Sequence, residues 1–209
     1  MPAQSLETDA FVLLKRLPTD AFQGLTVFSA SHGLLPVMQR VPKARGPAGA
    51  TPHVALDLFD EAWLMLESSN QGRTWFTREV RLIARPTDIG RSYDALRFAS
   101  ALAALIGRNP LHEDSREAVA RLLREAFAAF GSGVRPDIVY LKSLYRFARY
   151  EGYPLKEQWF PTLPATDRAE VATLLNRPLA EQTAPEPDVA RLQHRLEAYL
   201  RGHTEILLD

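Results

Sequence analysis

The chain predicts an α+β protein of two domains: a small five-stranded β barrel or sandwich over residues 1–84, then an all-helical domain over 85–209. Three observations carry this. Turn signals recur about every ten residues up to Arg85, the rhythm of a small all-β domain. After Arg85-Pro86 the apolar period lengthens to that of a helix. Finally, 209 residues, 46% hydrophobic and 24% charged, supply the apolar side chains for cores of ordinary size.

The strands follow in order. Ala10–Lys15 is a short apolar run, and Leu25, Val27 and Phe28 form the next after a turn expected at Gln23-Gly24. Ser31-His32-Gly33 separates them from Leu34–Val41. Pro42–Pro52 is dominated by Pro, Gly and Ala and reads as a loop, because these residues interrupt both helices and central strands. Leu56–Leu66 reads as the fourth strand, with Leu56, Leu58, Trp63 and Met65 available for one-sided burial. Ser69-Asn70-Gln71-Gly72 is a hairpin-like connection to a fifth, which carries Trp75, Phe76, Val80 and Leu82.

The helical half has five expected elements. Leu96, Ala99, Leu102, Ala103 and Ile106 share one face of the first, which stops at Gly107 and Asn109-Pro110. Asp114 and Glu117 have the spacing of a capping box opening the second, and Gly131-Ser132-Gly133 ends it. The third runs from Pro136 to about Glu151 and stops at Gly152 and Pro154. Thr166–Asn176 is the fourth, with Asp167 and Glu170 at capping spacing. Val189, Leu192, Leu196, Tyr199 and Leu200 make the apolar stripe of the fifth.

Composition narrows the chemistry. A chain without cysteine holds no disulfide, Cys-ligated zinc, iron–sulfur cluster or thiol nucleophile. Phosphate-loop, dinucleotide-binding, zinc-protease and nucleophile-elbow patterns are missing, and no two histidines share a helix face at metal-binding spacing. The expectation is therefore a non-enzyme without cofactor or metal. A small-molecule enzyme using the Asp57/Asp60/Glu61 acids is the distant rival, since a solvated strand edge explains them more simply. Residues 1–11 contain Glu7 and Asp9 and no apolar run, so no secretory signal is expected there. The most apolar stretch, Phe98–Ile106, falls short of a membrane span. A cytoplasmic protein is expected. With 25 Lys+Arg against 25 Asp+Glu, any polyanion site must be local rather than global.

Two local clusters of cations meet that requirement. Arg40, Lys43 and Arg45 surround the Pro/Gly-rich loop, with no acid between residues 21 and 56. Such a loop beside a small barrel suits a phosphate backbone, and equally a loop kept soluble by charge. On the third helix Lys142, Arg146 and Arg149 lie at i, i+4 and i+7, beside an apolar face of Ile138, Leu141, Leu144, Tyr145 and Ala148. Tyr140, Phe147, Tyr150 and Tyr153 are interleaved with them. Cations beside aromatics stack bases or hold a carboxylate next to an apolar pocket; a wet helix face is the plainer alternative.

Several segments in order resemble the RecO family of bacterial DNA-repair and recombination mediators. Ala10-Phe11-Val12-Leu13-Leu14-Lys15-Arg16 is similar to that family's first strand, and Leu25–Leu34 with its Ser31-His32-Gly33 to its second strand and turn. Arg40–Arg45 stands at its basic loop and Glu79-Val80 at the step closing its barrel. Pro136–Tyr153, ending Glu151-Gly152-Tyr153-Pro154, resembles its long helix, and Tyr199-Leu200-Arg201-Gly202-His203 its closing helix. Coverage is nearly full length.

The resemblance implies an N-terminal OB-fold barrel, single-stranded DNA binding and annealing, docking on the C-terminal tail of single-stranded-DNA-binding protein, and partnership with RecR in loading RecA. By position, Arg40, Lys43 and Arg45 would contact phosphates, and Lys142 would hold the acidic tail. Arg146 and Arg149 join it from the helix face alone. The family's four-Cys zinc module is replaced here by Cys-free Glu157–Pro178, so no zinc is expected. The alternative expectation is an adaptor of the same fold that binds an acidic peptide tail with little or no DNA binding.

Overall fold

The structure, a computed structural model, describes residues 4–41 and 54–208. It divides into two compact units, Met1–Pro86 and Thr87–Asp209. The first is a closed barrel of β1 (Gln4–Lys15), β2 (Phe22–Ser29), β3 (Gly33–Arg40), β4 (Glu61–Ser68) and β5 (Trp75–Ala84). Its strands run β1-β2-β3-β5-β4 around the cylinder. All neighbours are antiparallel except β3 and β5, which close in parallel through Val37–Trp75 and Met38–Phe76. A five-stranded barrel closed in this way is OB-fold-like.

Alternation builds its core. Leu35 and Val37 of β3, and Ala62, Leu64 and Leu66 of β4, point inward to meet Val12, Leu25, Val27 and Trp75. β1 serves two neighbours: Gln4–Phe11 pairs with β4, and Phe11–Lys15 with β2, across a register shift between Val12 and Leu14. The strand therefore begins well before the expected Ala10. Its polar first half, exposed at Glu7 and Asp9, is held by its ladder rather than by a two-sided apolar run.

Two strand expectations are corrected. Gly24 is no turn residue but lies buried inside β2, and residues 16–21 make the connection. A Cβ there would sit 3.4 Å from Arg16 Cδ and 3.6 Å from Met38 Sδ, ordinary contact distances, so the strand holds Gly24 by its pairing opposite Met38 and not by a need for a bare position. Residues 56–60 precede β4 instead of belonging to it. The Asp57 N–H donates to Asp60 Oδ2 at 2.7 Å, the Asp60 N–H to the Asp57 carbonyl at 3.2 Å, and Phe59 takes a positive φ of 70°. A turn closed by its own side chain outcompetes the strand.

The second unit contains six α-helices: α1 (Tyr93–Arg108), α2 (Arg116–Gly131), α3 (Pro136–Tyr150), α4 (Leu155–Gln158), α5 (Ala165–Asn176) and α6 (Glu186–His203). Ser92 caps α1 by accepting the Ala95 N–H, and Pro136 pre-sets the first turn of α3. α2 ends where expected, with Gly133 at φ +78°. Both predicted capping boxes fail. Asp114 sits in a short 3₁₀ turn before α2. Asp167 lies inside α5, buried and held by Arg191 and by Arg195 at 2.8 Å. α3 packs against α1, α2 and α6, which buries Val139, Tyr140, Ser143 and Phe147 in addition to the expected face. Among the described residues no helix is long and apolar enough to cross a membrane.

Candidate peptide-binding groove on the third helix

The exposed side of α3 is where the predicted cations come together. Lys142, Arg146 and Arg149 line one cavity of about 400 Å3, and Lys156 of α4 joins them. The floor is apolar: Tyr145 of α3, Phe160, and Ala172 and Leu175 of α5. Tyr145 and Phe160 stack at 6.1 Å with an interplanar angle of 26°, and buried Trp159 braces both from 6.3 and 5.6 Å. Four cations and no carboxylate line the groove.

Each cation is held differently. Lys142 Nζ donates to the Arg177 carbonyl at 2.7 Å, which uses one of three ammonium donors and fixes the head where the others can reach a ligand. Burial, with Arg146 nearby, lowers its pKa below the ordinary lysine value. Arg146 donates to Glu125 Oε2 at 2.6 Å and to the Tyr150 hydroxyl at 3.1 Å. Burial works against its charge, but these two partners outweigh it and raise the guanidinium pKa. Arg149, exposed, lies 5.9 Å from the Tyr145 ring centroid and makes no ion pair among the described residues. Lys142, Arg149 and Lys156 are thus the groove's available charges, while Arg146 is largely committed to Glu125.

The aromatics divide as well. Tyr140 and Phe147, expected beside the cations, are buried and closed to any base. Tyr150 serves Arg146, and the Tyr153 hydroxyl accepts the Glu205 N–H at 3.1 Å. Phe160 and Leu175 complete the floor without having been anticipated, because they arrive from other elements. Tyr145 is buried on the expected apolar face of α3 and lines the groove from there.

On the barrel, Arg40 stands exposed at the end of β3. Lys43 and Arg45 lie outside the described residues. The acid cluster is not the solvated edge expected. Asp60 is 0% exposed and Arg85 forks onto it, Nε to Oδ1 at 2.8 Å and Nη2 to Oδ2 at 2.5 Å. Asp57 stays exposed and accepts from Lys15 Nζ at 2.8 Å. Burial pushes the Asp57 pKa up, but Lys15 and the Leu58 N–H outweigh it and hold it below the usual carboxylate value. These contacts make the pair a clasp of the barrel. A further cavity of about 330 Å3 between α5 and α6 has its acids, Glu170 and Asp188, already held by Arg191. Among the described residues no three His, Asp or Glu side chains gather as metal ligands.

Barrel and groove together define a class: an OB-like barrel joined in sequence to a helical unit that presents a cationic, aromatic-floored groove. Comparison with known protein families and with curated proteins finds no match.

Proposed function

We propose that the chain is a RecO-like mediator of DNA repair and recombination. In this reading it binds single-stranded DNA on the barrel, docks on the C-terminal tail of single-stranded-DNA-binding protein, and acts with RecR to promote RecA loading and strand annealing. The observation that carries the proposal is the α3 groove. Its cations suit the acidic side chains and terminal carboxylate of a peptide tail, and the Tyr145–Phe160–Leu175 floor suits an apolar last residue. The OB-like barrel and the exposed Arg40 support the DNA half. No bond is made or broken in this mechanism. Affinity for the tail comes from charge-assisted hydrogen bonds over an apolar contact, and affinity for DNA from phosphate neutralisation.

The pH dependence of the groove tests its leading residue. Lys142 contributes charge below its lowered pKa and loses it as pH rises through that value. Calorimetric affinity for an acidic, apolar-ended peptide is therefore expected to fall on the alkaline side earlier in the wild type than in Lys142→Arg. Superimposable profiles would remove Lys142 from the contact.

One observation favours the narrower adaptor reading. Lys15, Arg78, Arg81 and Arg85 are all ion-paired within the barrel unit, to Asp57, Glu67, Glu79 and Asp60, which leaves fewer cations for phosphates. Fluorescence anisotropy of labelled oligo-dT at low and moderate salt separates the two. Binding that weakens steeply with salt is expected for the mediator; peptide binding without DNA binding at low salt would leave the adaptor.

A further inference from the structure

The outer face of the barrel gathers side chains that its core does not use. Pairing sets Phe22 opposite Arg40 and Gly24 opposite Met38, Met38 beside Phe76, and Phe76 opposite Glu67. Since side chains alternate along a strand, Phe22, Met38, Arg40 and Phe76 share the outward face. None of the four is fully buried. The two rings meet edge to face at 5.5 Å and 73°, and a cavity of about 400 Å3 opens over them, bordered by Arg40 and Arg78.

The charges around this surface are unequal. Arg78 is spent on Glu67, Nε to Oε2 at 2.7 Å. Arg40 makes no ion pair among the described residues. A partly open surface of two phenyl rings and a thioether, with an uncommitted guanidinium at its rim, fits a ligand that is flat and apolar on its faces and anionic alongside. A nucleotide of a single strand has that shape, whereas a duplex keeps its base faces inside its own stack.

We propose that Phe22 and Phe76 form a stacking platform for a nucleobase of single-stranded DNA, with Arg40 on the adjoining phosphate. The inference rests on the DNA-binding reading of the barrel and deepens it: bases as well as backbone contribute affinity.

The test compares labelled oligo-dT with an abasic strand of equal length and charge, by anisotropy at low salt. Stacking on an aromatic side chain predicts that Phe76→Ala weakens oligo-dT binding roughly five- to 150-fold and leaves the abasic strand nearly unaffected. Phe76→Leu keeps apolar volume while removing the ring face, so it should lose the same preference for oligo-dT with its thermal midpoint near wild type. Arg40→Ala should weaken both strands alike. Equal wild-type affinity for the two strands, or a Phe76→Leu variant that retains the wild-type preference, overturns the platform and leaves phosphate binding standing. Failure of the wild type to bind either strand at low salt overturns the DNA-binding reading and the platform with it.

Discussion

Arg85→Ala is expected to destabilise the barrel by about 3 kcal/mol, because it strands a fully buried carboxylate. Asp60 is 0% exposed and its partner 37% exposed. Without the guanidinium fork, the Asp57 N–H at 2.7 Å is the contact that remains to the Asp60 carboxylate. The cost sits at the lower end of the range for broken buried pairs, since water can enter where the partly exposed arginine stood. The same side chain also donates to the Ala55 carbonyl at 2.7 Å, so its loss frees the segment before β4 too. A fall in Tm of about ten degrees by circular dichroism is expected. Arg85→Lys should recover little, because an ammonium does not reproduce the two-pronged contact. Arg85→Ala combined with Asp60→Asn should be less destabilised than Arg85→Ala alone. A double variant that melts lower would show that the guanidinium acts through packing and the Ala55 bond rather than through charge.

The second large effect belongs to the groove. Lys142→Glu with Arg149→Glu replaces two of its available cations by carboxylates facing an acidic ligand. Affinity for an acidic, apolar-ended peptide should drop by about a hundredfold or more, since both charge-assisted contacts are lost and repulsion replaces them. Arg149 is exposed, and its reversal should barely move the melting point. Lys142 is half-buried and tied to the Arg177 carbonyl, so Lys142→Gln serves as a control that removes charge without adding its opposite. Peptide affinity unchanged in the double reversal, measured by calorimetry, would exclude this groove as the docking site.

What the sequence disclosed about these sites follows from how local each signal is. Lys142, Arg146 and Arg149 recur at helical spacing within one element, so their common face is dictated by the α-helix alone. Lys156, Phe160 and Leu175 reach the same cavity from later segments, and no periodicity links them to α3. Likewise the order of barrel and helices was legible from the change in apolar period at Arg85-Pro86, but Gly24 misled. A glycine between polar and apolar residues signals a turn, and only the pairing with Met38 of the neighbouring strand places it inside β2. Asp60 misled for the same reason. Its countercharge lies 25 residues away at Arg85, beyond the reach of any local pattern. Phe22 and Phe76 became neighbours only when β3 and β5 closed the cylinder.

The long-range pairing of β1 with β4 also has a kinetic side. β1 meets β4 through pairs from Gln4–Ser68 to Phe11–Glu61, contacts separated by about fifty residues or more, whose loop entropy must be surrendered before any of the ladder's bonds repay it. The β2–β3 hairpin, from Ser29–Gly33 to Phe22–Arg40, forms across a short turn and needs no such search. Refolding of the barrel should therefore begin at β2 and β3 and be timed by the arrival of β1 on β4. Pulse-labelling hydrogen exchange should find the amides of residues 25–37 protected before those of 4–11.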